Sequence, residues 1–130
     1  MSNILTLDKN KWGPLAWHMI HNFSLKSNDN ECMFILINTF GYILPCPTCK
    51  KHYNYLINNI YKLDEDNPNK KSMIKYLYEI HNIINENLEK NIKISLNKSI
   101  ELNKKINNAK FIFLFIYLYS NINYNNISFN

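Results

Sequence analysis

The chain has 130 residues, 46% of them hydrophobic and 19% charged, which points to one globular domain rather than a disordered segment or two domains. Its only two glycines, Gly13 and Gly41, lie far apart, which excludes a Gly-rich phosphate-cradling loop. The net charge of +5 comes from 15 basic residues, all lysine, and a chain without guanidinium forks is not expected to read nucleic acid specifically. The 24 asparagines and 19 isoleucines share A/T-rich codons with lysine, so an isolated Asn here is weak evidence of a role.

Met1 to Asp8 lacks the basic and apolar regions of a secretory signal. The longest apolar run, Phe111 to Tyr119, falls short of the about 20 residues that span a bilayer. The expectation is a cytoplasmic protein with no transmembrane segment.

Helical spacing dominates in chain order. Trp12, Leu15, Ala16, Met19, Ile20 and Phe23 predict a first helix over about 10–26, with Asp8 as a cap and Pro14 in the first turn. A polar turn at 27–30 leads to a second helix carrying Met33, Leu36, Ile37, Phe40 and Ile43, stopped at Leu44-Pro45. Cys46 is placed at the cap of a third helix, Pro47 at its first position, and Cys49, Tyr53, Leu56 and Ile60 on one face. A turn at 64–68 precedes a fourth helix over about 69–90, with Met73, Leu77, Ile80, Ile84 and Leu88 inward. Ser95 or Asn97 opens a short fifth helix with Ile100, Leu102 and Ile106. The expected architecture is all-α: a four-helix bundle, a short fifth helix and a C-terminal extension.

Cys46-Pro-Thr-Cys49 is the sharpest chemical feature. Residues three apart share a helix face, so the two sulfurs can close a small-ring disulfide. A helix N-terminus stabilises thiolates, as do the cationic neighbours Lys50, Lys51 and His52. By position Cys46 is the more exposed thiol, and Cys49 the one that passes electrons inward. The series Cys46, Cys49, His52 also resembles half a zinc site, with His81, His21, His18 or Cys32 as a fourth ligand at unfinger-like spacing. Cys32, near the core stripe of the second helix, reads as a small buried hydrophobe, with an interchain bridge or a resolving thiol as the other readings.

Two further groups stand out. Gly13, Trp17 and His21 align at i, i+4 and i+8, a flat wall with a polar tip. His81, Asn82 and Asn85 cluster within one turn, with Lys90 following, a set suited to an adenine, a ribose and a phosphate.

Taken in order, these segments resemble a known family. Trp12-Gly-Pro-Leu-Ala-Trp17-His-Met-Ile-His21 is similar to the opening helix of Erv/ALR-type FAD-linked sulfhydryl oxidases. Leu44-Pro-Cys46-Pro-Thr-Cys49-Lys-Lys-His52 resembles their active-site CxxC in the form used by large DNA viruses. His81-Asn-Ile-Ile-Asn85-Glu-Asn-Leu88-Glu-Lys90 resembles their HNxxNxxLxK flavin motif. The resemblance covers residues 11 to about 92.

It implies a bundle with FAD at one end, assembled as a homodimer. Gly13, Trp17, His21, Cys49, His52, His81, Asn82, Asn85 and Lys90 are the implied cofactor-binding residues, and Cys46 and Cys49 the catalytic pair. The implied activity is oxidation of a protein dithiol or a small redox carrier protein, with electrons passing through FAD to dioxygen to give hydrogen peroxide.

Departures accompany it. No cysteine follows Cys49 to staple a C-terminal helix, and Glu89 stands where the family often has glycine. Residues 1–108 are the expected oxidase domain. Residues 109–130 are an apolar extension expected to pack on the bundle or on a dimer mate, with a membrane-surface anchor as the other reading. A flavin-free dithiol carrier and a zinc-stabilised helical module remain the alternative functions.

Overall fold

The computed structural model describes residues 9–44, 46–63, 69–90, 93–105 and 108–120, and every regular element among them is helical. The helices are α1 (Lys9–Lys26), α2 (Asn30–Thr39), α3 (Pro47–Tyr55), α4 (Lys70–Asn87), α5 (Leu96–Asn103) and α6 (Asn108–Ser120). A 3-10 turn, Phe40–Ile43, follows α2, and a π-turn, Leu56–Ile60, ends α3. The Asp8 cap, Pro45, the 64–68 turn and Ile106 lie outside the described residues.

The helix starts follow from local chemistry. The Asp29 carboxylate accepts the Cys32 N–H, the Asn69 amide oxygen accepts the Ser72 N–H, and the Ser95 hydroxyl accepts the Lys98 N–H. Each satisfies one of the amide donors that a helix start leaves unpaired. Pro14 sits inside α1 rather than in its first turn. The residue before a proline normally clashes with the ring through its Cβ, and Gly13 has none.

α1 packs against α2, α4, α5 and α6 and forms the spine of the bundle. Its Trp12, Ala16, Met19 and Ile20 meet Met33 and Ile37 of α2 and Met73, Leu77 and Ile80 of α4 in one buried core. Leu56 and Ile57 of the π-turn join it. Phe111 and Leu114 bury α6 as well, and the Phe111 ring lies 5.2 Å from His18 and 6.1 Å from Phe23 of α1. Among the described residues no helix is long and apolar enough to cross a membrane.

Besides Phe23, which is exposed at the edge of the α1 stripe with its ring against Phe111, four expected core positions are exposed instead. Ile60 is turned outward because the π-turn inserts a wider turn and brings Ile57 inward. Leu88 falls at the cap of α4, beyond its buried stripe. Leu102 is exposed because α5 turns Ser99 inward and is held to α1 by polar contacts. There the His18 ring nitrogens face the Asn103 side-chain oxygen at 2.8 Å and the Lys105 carbonyl at 3.0 Å. The Asn22 amide donates to the Asn103 carbonyl at 2.7 Å, so α1 satisfies acceptors that the end of α5 leaves open. Cys32 is the fourth: it lies one position off the Met33–Ile37–Phe40 stripe and faces solvent.

Candidate active site

Cys46 is the N-cap of α3, and its Sγ accepts the Cys49 backbone N–H at 3.3 Å. Pro47 occupies the first position, where its missing N–H costs nothing. Both cysteines are half-buried against the core, so neither stands out as the exposed partner. The chain turns into α3 through the 3-10 turn, and the Leu44 N–H bonds to the Gly41 carbonyl there.

One turn beyond Cys49, Tyr53 is buried and donates its hydroxyl to the Ile37 carbonyl at 2.6 Å. Its ring centroid lies 6.4 Å from that of Trp17. The Trp17 indole stacks on the His81 imidazole, centroids 4.2 Å apart and planes 10° from parallel. His21 Nε2 lies 3.1 Å from His81 Nδ1, so one ring donates and the other accepts. The structure thus brings α1, α3 and α4 together at Trp17, His21, Tyr53 and His81.

Burial sets the electrostatics of the pair. It lowers the His21 pKa to about 3, aided by positive charge on His81 and His18. Burial likewise lowers His81 to about 4, aided by Lys90. Both imidazoles are neutral at physiological pH. Asn82 and Asn85 are half-buried beside His81 on α4, and among the described residues their side chains make no hydrogen bond. His52 Nε2 meets the Asn87 amide at 3.2 Å, tying α3 to the end of α4. A side chain at Gly13, one turn before Trp17 on α1, would meet open space.

Lys90 is placed by the turn that ends α4. Its N–H bonds to the Asn85 carbonyl at 2.8 Å, and the Glu89 N–H bonds to the Glu86 carbonyl at 3.0 Å. This paired pattern needs a left-handed residue, and Glu89 takes it with φ 57°. The glycine-type turn therefore forms without glycine, so the departure at Glu89 leaves the turn intact. Sequence reasoning missed Tyr53 as a site neighbour; its place one turn after Cys49 was the available signal.

Among the described residues no three His, Cys, Asp or Glu side chains gather as metal ligands. Cys32 lies in the first turn of α2, away from the pair. The hydrogen bond and charge of Asp29 raise its thiol pKa, which makes it a poor nucleophile.

The sequence matches the model of the Erv1 / Alr family over residues 14–112. The chain belongs to that family. It is similar to a protein of Acanthamoeba polyphaga mimivirus named as an FAD-linked sulfhydryl oxidase, 26% identical over 81 residues. That alignment covers 58% of this chain and 57% of the mimivirus protein, so the chain spans just over half the length of that relative. A protein of Invertebrate iridescent virus 6, also named as an FAD-linked sulfhydryl oxidase, is 28% identical over 94 residues, covering 65% of this chain and 85% of its own. No solved structure matches. For this Erv1 / Alr chain the family match takes in α2 to α5, most of α1 and the first turn of α6.

Proposed function

We propose that the chain is an FAD-linked thiol oxidase that makes disulfides in a protein dithiol or a small redox carrier protein. The observation that carries this reading is the Cys46–Cys49 pair at the start of α3, one turn from a Tyr53 ring that borders the Trp17–His21–His81 cluster. The names of the two viral relatives support it.

The residues fit the cofactor chemically. Planar Trp17 and His81 rings suit a dinucleotide's planar rings. Neutral imidazoles and the Asn82 and Asn85 amides suit ribose and ring heteroatoms, and Lys90 suits a diphosphate. The open space at Gly13 suits close approach, and His52 borders the same end of α4 through Asn87.

The chain's own chemistry is thiol–disulfide exchange. A substrate thiolate attacks Cys46 Sγ of a Cys46–Cys49 disulfide, a new S–S bond forms, and Cys49 leaves as thiolate. The start of α3 stabilises that thiolate through the positive end of its dipole. A second substrate thiolate attacks the substrate sulfur of the mixed disulfide and releases Cys46. The substrate has then lost two electrons and two protons, and the cysteine pair holds them. Bound FAD supplies the two-electron acceptor chemistry that regenerates the disulfide, with dioxygen reduced to hydrogen peroxide.

Residues 1–108 form the oxidase unit in this reading, with the homodimer as its assembly. The burial of Phe111 and Leu114 supports packing of the C-terminal extension on its own bundle.

The test is the visible spectrum of the purified protein before and after anaerobic dithiol. A flavin band that bleaches, and that persists unbleached in Cys49→Ser, is the expected result. A colourless protein that cannot be loaded with FAD overturns the reading, as does a Cys49→Ser variant that consumes oxygen at the normal rate.

A further inference from the structure

A groove of about 480 Å³ runs along the outer face of α3. It begins at Leu44 and Pro47, on either side of Cys46, and Lys50, Lys51, Asn54 and Tyr55 line it. Asn58 and Asn59 of the π-turn close its far end. From Pro47 to Asn59 the helix rises roughly 18 Å, which matches about five or six residues of extended peptide.

Its chemistry is one-sided. Two lysines stand at the end nearest Cys46, and among the described residues no carboxylate lines the groove. Among the described residues neither Lys50 nor Lys51 enters an ion pair, whereas Lys75, Lys93 and Lys98 do. Beyond the lysines come Asn58 and Asn59, whose exposed amides both donate and accept as a peptide backbone does, and Asn54, whose oxygen is buried. Tyr55 is 58% exposed and offers a ring to an apolar side chain. The start of α3 adds the positive end of its dipole beside Pro47.

We propose that this groove docks the protein substrate, as an extended acidic segment flanking the cysteine that meets Cys46. The proposal rests on the thiol-oxidase reading and names its substrate class. A nucleic-acid strand fits less well, because the chain has no arginine and the described lining of the groove holds a single aromatic ring, and because the residues at its start flank Cys46, for which a nucleic acid carries no partner.

The test uses a fluorescein-labelled acidic peptide with its cysteines replaced by serine, titrated by anisotropy against the full chain. Binding should weaken with salt. It should also weaken roughly fivefold to tenfold in the Lys50→Gln/Lys51→Gln double variant, as two exposed charge pairs predict. A Lys26→Gln/Lys71→Gln variant carries the same net charge and should bind as the wild type does. In turnover, the ratio of KM for an acidic dithiol peptide to KM for an uncharged one should rise by a similar factor in Lys50→Gln/Lys51→Gln. That ratio cancels any change in the thiols themselves.

Binding that survives in Lys50→Gln/Lys51→Gln, or that is lost equally in Lys26→Gln/Lys71→Gln, overturns the proposal. So does absence of binding. A single-stranded oligonucleotide of equal charge that binds tighter, with the same dependence on Lys50 and Lys51, assigns the groove to nucleic acid instead. Oxidation of dithiothreitol, too small to need the groove, is followed in parallel. Its absence defeats the oxidase reading, while the anisotropy decides the groove.

Discussion

Cys46 Sγ accepts the Cys49 N–H in the position that an oxygen fills on α2, α4 and α5. A thiol sulfur is a weak acceptor, and a thiolate is a strong one. The cap of α3 is therefore poor as a neutral group and good as the anion that thiol exchange requires. Under the proposed thiol exchange, stability is given up at this helix start for reactivity.

Cys46→Ser should restore an oxygen cap and destroy the chemistry. Under reducing conditions we expect the urea midpoint to rise by the equivalent of up to about 1 kcal/mol, with dithiol oxidation lost. A Cys46→Ala variant should lose activity without the gain. If Cys46→Ser unfolds more easily than wild type, the cap relationship is wrong.

The His21–His81 pair predicts a pH dependence. In the unfolded chain both rings take up protons as pH falls through their ordinary value of 6.5. In the folded chain they do so only near about 3 and about 4. The unfolded state therefore binds more protons below 6.5, so stability falls as pH drops from there toward 4 and does not depend on these groups above it. Urea midpoints at about pH 7.5 and about pH 5 bracket this window and leave most carboxylates ionised. The midpoint should drop at the lower pH, and drop less in His81→Gln. A wild-type midpoint equal at both would show that the imidazoles are not held neutral.

Glu89 gives a stabilisation test. Its φ of 57° costs a residue with a Cβ about 1 kcal/mol, part of which glycine returns through its greater freedom when unfolded. Glu89→Gly should stabilise the protein by about 0.5–1 kcal/mol. It keeps the turn that sets Lys90 beside Asn85 and removes a carboxylate next to Lys90, so cofactor retention should hold or improve. Thermal melts and retained flavin absorbance check both. A loss of stability would mean that the Glu89 side chain makes a contact worth more than the backbone cost.

Local rules reached far along this chain. The Cys46 cap with Pro47 behind it and the Met73–Leu77–Ile80 stripe follow from residues within a few positions of one another. The failures arise where a regular period is broken. The π-turn re-aims Ile60, and the capped end of α4 exposes Leu88. Cys32 sits one residue off a stripe, which on a helix is about 100° of rotation. The joint between His18 or Asn22 and the end of α5 spans more than 80 residues of sequence and uses polar groups, so no periodicity announces it. Trp17 and His81 were each visible as candidates, but their parallel stack depends on the register of α1 against α4, which only the folded chain fixes.

Gly41 tests how tightly the turn before α3 is packed. Its φ is not positive, so what it needs is space rather than backbone freedom. A Cβ there would strike the Asn54 side-chain amide and come within 2.8 Å of Tyr53 Cδ1. Tyr53 cannot retreat, because its ring is buried edge-on against Phe40 and its hydroxyl is held by the Ile37 carbonyl. The Asn54 oxygen is already buried without a hydrogen-bond partner among the described residues. Gly41→Ala should therefore cost about 1–3 kcal/mol, read from the urea midpoint. Asn54→Ala in the same chain should return part of it, since it clears the amide but leaves Tyr53 in place. Tyr53 lies one turn after Cys49 and borders Trp17, so dithiol turnover should fall in Gly41→Ala even where the protein is fully folded. A Gly41→Ala variant with the wild-type midpoint would mean that Tyr53 and Asn54 have room to move, and that the turn does not fix the approach of α3 to the aromatic cluster.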